Sequence, residues 1–320
     1  MKIFNSKFES KQHFSFLAIG ETQKSKEASE GGFKRYIGLG SSNVLAVNPS
    51  KEKLDELMGY VSQNEPEYVK ETEEGKEAHI HVIVKTDPES NNGIEIVSRL
   101  MFTLRATPAY NRDKTKVEVL DRYGNHTWMD AEDAKNGKPA LLPSGNPNKL
   151  DTKYRIACAG ETDLVDFLKA FLCVPDAFNY VNGVWVKRDN AETGICELEN
   201  VKDYFKGDFS EIRDAIALQP NNKVKLLYGI RTTDEGKQYQ VIASKGGLIL
   251  PNSANGKAIE RLQRNLVSAK QGGAFRNVEF RIQELQEYTV EPTNLEKAPA
   301  ATAQDGLPFA AEDSNKMPWD

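Results

Sequence analysis

Apolar and polar residues alternate along several stretches of this chain, and a period of two is typical of β-strands. The clearest case is 79–85, where His79 and His81 share one face. A longer run covers 94–106, with Leu100, Phe102 and Leu104 on one face and Arg99, Met101, Thr103 and Arg105 on the other. Further strands are predicted at 33–39, 43–47, 114–120, 223–231, 237–243 and 275–285.

Turn residues connect these strands into antiparallel pairs. Gly40, Ser41 and Ser42 predict a turn between 33–39 and 43–47. A loop over 108–113 would let 94–106 pair with 114–120, and Gly236 marks a second hairpin between 223–231 and 237–243.

Helical periodicity of 3.6 occurs at 51–58, 161–172, 201–218 (interrupted near Gly207) and 254–270. In 161–172 the apolar face consists of Leu164, Phe167, Leu168 and Phe171. The chain is therefore predicted to be mainly β (α+β) with helical insertions. A small, highly curved antiparallel barrel of the OB type is the fold that we expect for such hairpins.

Aromatic and basic residues cluster around the predicted pair 94–106 and 114–120 and around 223–243. Bases stack on aromatic rings while lysine and arginine follow phosphates, so this composition favours single-stranded nucleic acid. The alternative is an ordinary sheet with a solvated face. Phosphate contacts are expected from Arg105, Lys114, Lys116, Arg122, Arg155, Arg231 and Lys237, and base stacking from Tyr110, Tyr123, Trp128, Tyr154 and Tyr239.

Charge divides the chain into a core, 1–290, and a tail, 291–320. The 320 residues carry a net charge of −5, and the tail alone has six acids against two bases. The core is thus nearly neutral, so any nucleic-acid site must be a local groove. No apolar run approaches the roughly 18 residues that a membrane helix needs, so no membrane partner is expected.

The tail is rich in proline, alanine and threonine at its start, which predicts a flexible, disordered segment. It carries two similar motifs in which an aliphatic residue, a proline and an aromatic follow one another. Docking to partner proteins is expected through Leu307, Pro308, Phe309, Met317, Pro318 and Trp319. The alternative is a solvated terminus.

Neither catalysis nor metal binding is expected. The three cysteines are far apart and form no Cys-x-x-Cys motif. No other ligand accompanies His79 and His81, so these histidines are expected on a solvated strand face. No metal or cofactor is therefore expected. A nucleic-acid hydrolase is a weaker alternative, because it would need clustered carboxylates or a nucleophile with its base, and the sequence presents neither constellation.

A resemblance to a known family rests on four stretches and their order along the chain. They are 36–59 (YIGLGSSNVLAVNPSKEKLDELMG), 121–129 (DRYGNHTWM), 154–172 (YRIACAGETDLVDFLKAFL) and 229–241 (GIRTTDEGKQYQV). Together they resemble the single-stranded DNA-binding proteins of tailed bacteriophages, including crAss-like phages. Some relatives hold a structural zinc, but this chain lacks their Cys/His cluster, so zinc is not expected.

The resemblance implies an OB-fold core that coats single-stranded DNA during replication, recombination and repair in the cytoplasm of an infected bacterial host. It also implies that the acidic tail recruits replication proteins such as a polymerase, helicase or primase. A single-strand annealing or recombination mediator protein remains the alternative, and the sequence leaves the oligomeric state open.

Overall fold

A computed structural model describes residues 33–290, apart from 60, 62–63, 141–149, 151–152, 175, 183, 191–195 and 197. The tail 291–320 and both of its motifs lie outside the described residues. The described part is mainly β, as predicted, and its sheets are antiparallel.

The strands are β1 (Phe33–Val47), β2 (Val69–Thr72), β3 (Gly75–Thr86), β4 (Val97–Pro108), β5 (Lys116–Asp121), β6 (His126–Asp130), β7 (Tyr154–Ile156), β8 (Cys158–Ala159), β9 (Phe178–Val181), β10 (Val184–Lys187), β11 (Lys223–Thr232), β12 (Gln238–Ile242), β13 (Leu250–Pro251), β14 (Val278–Phe280) and β15 (Gln286–Val290). The helices are α1 (Lys51–Met58), α2 (Ala131–Lys135), α3 (Glu161–Leu172), α4 (Val201–Tyr204), α5 (Ser210–Ala217) and α6 (Gly256–Gln271), with a 3₁₀ turn at Pro88–Ser90.

The central strand is β1, which changes partner along its length. Residues 33–37 pair with β15, residues 38–43 with β11, and residues 42–47 with β3. The predicted turn at Gly40, Ser41 and Ser42 is therefore wrong, because these residues lie inside one continuous strand. Their small size serves packing: a Cβ on Gly40 would lie 2.9 Å from the ring of Tyr228, and the Ser42 hydroxyl is 2.8 Å from the Tyr228 hydroxyl.

The main sheet has a Greek-key strand order. Its path runs β12-β11-β1-β3-β4-β8, while β13 and β14 pair with β11, β15 with β1, and β2 with β3. In β11-β1-β3-β4, three strands lie side by side and a fourth returns after a long connection to pair with the first. Strand β12 comes within 8 Å of β4 between Cα atoms, but no ladder joins them in the described chain. The sheet is open, so a closed barrel is not shown.

The main core lies between this sheet and α3. The predicted apolar faces of 94–106 and 161–172 are confirmed: Phe102 is 5.5 Å from Phe167 between ring centroids, and Phe167 stacks on Phe171 at 6.0 Å. A second cluster covers the other face of β11, where Leu227 packs with Leu262 and Leu266 of α6. Helix α3 therefore packs on one face of the main sheet, and α6 packs on the other face at β11.

Strand β5 belongs to a separate three-stranded sheet of order β6-β5-β7, so the predicted pairing of 94–106 with 114–120 is wrong. Strand β3 occupies one edge of β4 from Arg105 to Val97, and β8 bonds part of the other edge. The tight turn at 122–125 instead returns the chain onto β5 as β6. A two-stranded sheet, β9 with β10, completes the described strands.

The predicted interruption of 201–218 near Gly207 is confirmed: α4 and α5 are separate helices, and the chain takes a left-handed turn at Gly207 with φ of 89°. One other boundary differs from the sequence prediction. The strand predicted at 275–285 is replaced by the shorter β14, with β15 following it on β1.

An imidazole between two carboxylates joins the small sheet to α3. His126 Nδ1 is 3.0 Å from Glu118 Oε1, and Nε2 is 3.4 Å from both carboxylate oxygens of Asp166. The Thr162 hydroxyl also donates to Glu118 at 3.0 Å. Partial burial by itself would lower the pKa of His126, but the hydrogen bonds with Asp166 and Glu118 outweigh it and raise that pKa to about 10.

We expect His126→Gln to destabilise the protein by about 1–3 kcal/mol, because two carboxylates would lose their shared cation. The folded pKa lies above the unfolded value, so the contribution is complete below about pH 6.5 and is lost as pH rises through about 10. Urea unfolding of wild type and variant at several pH values checks this. A difference in unfolding free energy that does not shrink toward high pH would contradict it.

Candidate nucleic-acid interface

The alternation of β3 and β4 places eight side chains on the face that points away from the main core. Strand pairing sets His79 opposite Thr103, His81 opposite Met101, and Ile83 opposite Arg99. We call this surface the β3–β4 face; it consists of His79, His81, Ile83, Lys85, Arg99, Met101, Thr103 and Arg105.

The β3–β4 face is most open to solvent at one end. Met101 is 39% exposed and Thr103 is also exposed, whereas Ile83 is fully buried. Helix α1 lies against β4 and buries Leu54. Ser50 caps this helix by accepting from the Lys53 amide, and Gly59 ends it in the left-handed conformation. The open end of the face therefore offers an apolar thioether beside a hydroxyl group.

His81 lies at the boundary between the open and covered ends. The expectation that it shares a solvated face with His79 is wrong, since His81 is 7% exposed and the Tyr68 ring meets it edge-on at 5.2 Å. Among the residues that the structure describes, neither of its ring nitrogens has a hydrogen-bond partner. Burial first, and then the nearby charge of Arg99, lowers the pKa of His81 to about 3, so the ring is neutral. Alternation alone cannot tell which histidine a distant loop covers.

The cations on the β3–β4 face have acidic neighbours. Arg105 Nε donates to Glu77 Oε1 at 2.8 Å, and His79 Nε2 is 3.2 Å from Glu77 Oε2. Lys85 Nζ is 2.7 Å from Glu95. The Arg105 and Lys85 side chains are each 35% exposed, so a phosphate reaching them shares them with a carboxylate. Electrostatic attraction at this face is therefore moderate.

Four of the predicted residues lie exposed on or beside the small sheet: Tyr110, Lys114, Lys116 and Trp128. Trp128 is 47% exposed and sits opposite Glu118, so Lys116 is its diagonal neighbour on the same face. Tyr110 bridges to Val117 on the other edge of β5 and is 37% exposed. These rings remain accessible for stacking, but on a different sheet from Arg105.

Tyr123 is a core residue, and the prediction that it stacks on a base is wrong. Its side chain is 1% exposed and packs edge-on against Phe178 at 5.8 Å between centroids. The Arg122 guanidinium donates to the Tyr123 hydroxyl at 2.7 Å and lies 4.9 Å from the ring centroid. The Arg122 guanidinium is thus engaged by the Tyr123 side chain, while the Asp121 carboxylate closes the turn by accepting from the Tyr123 and Asn125 amides.

Arg155 is bound by a buried carboxylate, which occupies the guanidinium predicted to contact phosphate. Both of its terminal nitrogens donate to Glu161, which is fully buried, and one also reaches the Leu198 carbonyl at 3.3 Å. Glu161 further accepts from the Cys158 amide at 2.9 Å. The neighbouring Tyr154 is half-buried and donates to the Lys138 carbonyl at 2.5 Å.

The remaining predicted residues belong to the β11–β12 hairpin. Arg231 lies opposite Tyr239, and Lys237 Nζ is 2.9 Å from Glu235. The structure therefore distributes the predicted residues over β4, the small sheet and this hairpin and does not assemble them around one pair of strands. Arg99 and Met101 were not selected as site residues from sequence, although the alternation in 94–106 placed them beside Arg105.

Within the described residues, no group of three or more His, Cys, Asp or Glu side chains is arranged to hold a metal ion. None of the helices in that part of the chain is long and apolar enough to cross a membrane.

Comparison with known proteins does not identify a relative. No protein-family model, curated protein or solved structure matches this chain. The resemblance drawn from the four sequence stretches therefore stays a prediction.

We expect Arg155→Met to destabilise the protein by about 3–5 kcal/mol, because Glu161 would be left as an uncompensated buried charge. Urea unfolding measures the loss. The double variant Arg155→Met with Glu161→Gln should recover much of it, since the buried charge is then absent. Affinity for oligo-dT should be unchanged in the folded double variant; a clear loss there would reinstate Arg155 as a phosphate contact.

Proposed function

We propose that this protein binds single-stranded nucleic acid without sequence preference, without catalysing a reaction, through the β3–β4 face. The observation that supports the proposal most is the Greek-key order β11-β1-β3-β4, with β12 close to β4 at the far end of the path. An OB-type domain is a five-stranded, partly open Greek-key barrel. We infer that these five strands correspond to one.

In OB-type barrels the second and third strands and the adjoining loops bind oligonucleotides. In this chain those strands correspond to β3 and β4. The adjoining connections are 48–74, which includes α1 and β2, and 233–237. The open end of the β3–β4 face presents Met101 and His79, against which an unpaired base packs its flat surface. Arg99, Arg105 and Lys85 supply positive charge along the same face for phosphates.

The preference for single strands follows from the chemistry of this face. A base inside a duplex already stacks on its neighbours, so its flat surface cannot reach Met101 or His79. An unpaired base can be splayed onto such side chains, and because every base has a flat surface the interaction tolerates any sequence. A chain with a net charge of −5 then binds through local contacts.

The biological role that we propose is to coat single-stranded DNA during phage replication, recombination and repair in the bacterial cytoplasm. The tail 291–320 recruits replication proteins through Phe309 and Trp319, whose rings supply the apolar area for docking. The support is the order of sequence stretches that resembles phage single-stranded DNA-binding proteins, together with the Greek-key order of the main sheet.

Fluorescence anisotropy with labelled oligo-dT and a duplex of equal length tests the proposal. Oligo-dT should bind more tightly, and its log affinity should fall linearly with log salt between about 50 and 200 mM, with a slope of about −0.7 per neutralised phosphate. The absence of binding to oligo-dT, or equal affinity for both probes at both salt concentrations, would refute the proposal.

Placing an acid at the open end of the β3–β4 face should weaken the affinity for oligo-dT. We expect Met101→Glu and Thr103→Glu each to lower it by about tenfold, because a carboxylate would repel the phosphates next to the bound bases. Leu218→Glu is the matched control: it adds the same charge at a side chain that is 78% exposed after α5. Equal affinities for all three variants would show that the strand binds elsewhere.

A further inference from the structure

Helix α6 carries a row of cations that the sequence analysis did not consider. Lys257, Arg261 and Arg264 are spaced by four and three residues, so they lie on one side of the helix. All three are exposed, and none forms a salt bridge or side-chain hydrogen bond with any residue that the structure describes. We call this surface the α6 face.

The α6 face differs electrostatically from the β3–β4 face. Arg105 and Lys85 lie within salt-bridge distance of Glu77 and Glu95, respectively. On α6 the one acidic residue is Glu260, and no salt bridge holds it to the three cations. The α6 face therefore has a net positive charge that no described carboxylate neutralises at contact distance.

Packing fixes the orientation of this row. Leu262 and Leu266 are buried in the second apolar cluster, together with Leu248 and Phe280. At the other end of the helix, Lys270 Nζ donates to the Val278 carbonyl at 3.2 Å. Because the apolar side is held against the sheet, the three cations point outward without a rearrangement of the helix.

We propose that the α6 face binds the phosphate backbone of nucleic acid regardless of whether the strand is paired. From Lys257 to Arg264 the helix rises about 10 Å, which equals the rise along the duplex axis of about three phosphates of one strand, at 3.4 Å each. Arginine suits this role, because its planar group donates two hydrogen bonds to one phosphate. Gln263 and Ser268, which are exposed nearby, add uncharged donors for phosphate oxygens.

Base stacking plays no part at this surface. Among the outward side chains of α6, Val267 is a lone large apolar group, and no described aromatic ring is exposed on the helix. A duplex therefore binds here as well as a single strand does, which goes beyond the single-strand site proposed for the β3–β4 face. A peptide with an apolar anchor is disfavoured, because the groove beside Arg264 is otherwise lined by Gln263, Ser268 and Gln271, with Val267 as its one apolar side chain.

The test uses the full chain with Lys257→Gln, Arg261→Gln and Arg264→Gln combined. Glutamine has a helix propensity similar to that of lysine and arginine, so α6 should persist, which circular dichroism and thermal unfolding check. The matched control combines Lys135→Gln, Lys153→Gln and Lys202→Gln, three exposed lysines outside α6 that likewise form no described salt bridge. Anisotropy of a short fluorescein-labelled duplex is measured across a salt series.

The α6 triple variant should lose about tenfold or more in duplex affinity at low salt, and its salt slope should flatten by about 2–3. Glu260→Gln should strengthen duplex binding. An unchanged affinity and slope in the triple variant, or an equal loss in the lysine control, would overturn the proposal. It would also be overturned if the triple variant lost affinity for a synthetic peptide of residues 291–320 but kept its duplex affinity.

These outcomes are separate from those of the proposed single-strand function. Met101→Glu should leave duplex affinity unchanged, because that side chain lies on the β3–β4 face. If oligo-dT showed no preference over duplex while the α6 triple variant still lost duplex affinity, the β3–β4 proposal would fail and the α6 proposal would stand.

Discussion

The main sheet depends on one constraint, which is that β1 must satisfy the backbone hydrogen bonds of three partner strands. A strand of fifteen residues changes from β15 to β11 and β3 only if its backbone bends between them. The bend falls at Gly38, whose φ of 131° excludes most other residues and whose Cβ position lies 2.6 Å from the Glu284 carbonyl oxygen. A register shift between Val44 and Ala46 adds curvature where β3 takes over.

This curvature creates the outer surfaces on which both proposals rest. Because β1 lies between β11 and β3, bending it brings β12 toward β4 and turns the β3–β4 face outward on one side. Helix α6 covers the outward side of β11, and α1 partly covers β4. The curvature of β1 therefore determines where the two proposed nucleic-acid surfaces lie on the protein. The two surfaces differ in kind. The β3–β4 face is a sheet surface that α1 and the segment with Tyr68 partly cover, whereas the α6 face is the exposed side of a helix.

Sequence predicted the elements whose pattern is local and missed those that depend on distant partners. The boundaries of α3 and its apolar face came directly from a 3.6-residue period, and so did the two faces of β4 from a period of two. The Gly-Ser-Ser segment of β1 has the composition of a turn, yet its small residues make room for Tyr228, far along the chain. Tyr123 and Arg155 have side chains of the kind that bind nucleic acid, but Tyr123 packs against Phe178 and Arg155 donates to Glu161. No spacing in the sequence reveals those partners.

The same reasoning explains why net charge is a poor guide to polyanion binding in this protein. A chain with 42 basic and 47 acidic residues looks unsuited to phosphate if the charges are only counted. What a phosphate meets, however, is the local field, and a cation whose carboxylate partner lies within 3 Å contributes much less to it than an unpaired one. Arg155 forms an ion pair with the buried Glu161, and Lys237 forms one with Glu235. No carboxylate in the described part of the chain pairs with Lys257, Arg261 or Arg264, so the charges that folding leaves unpaired there matter more than the total.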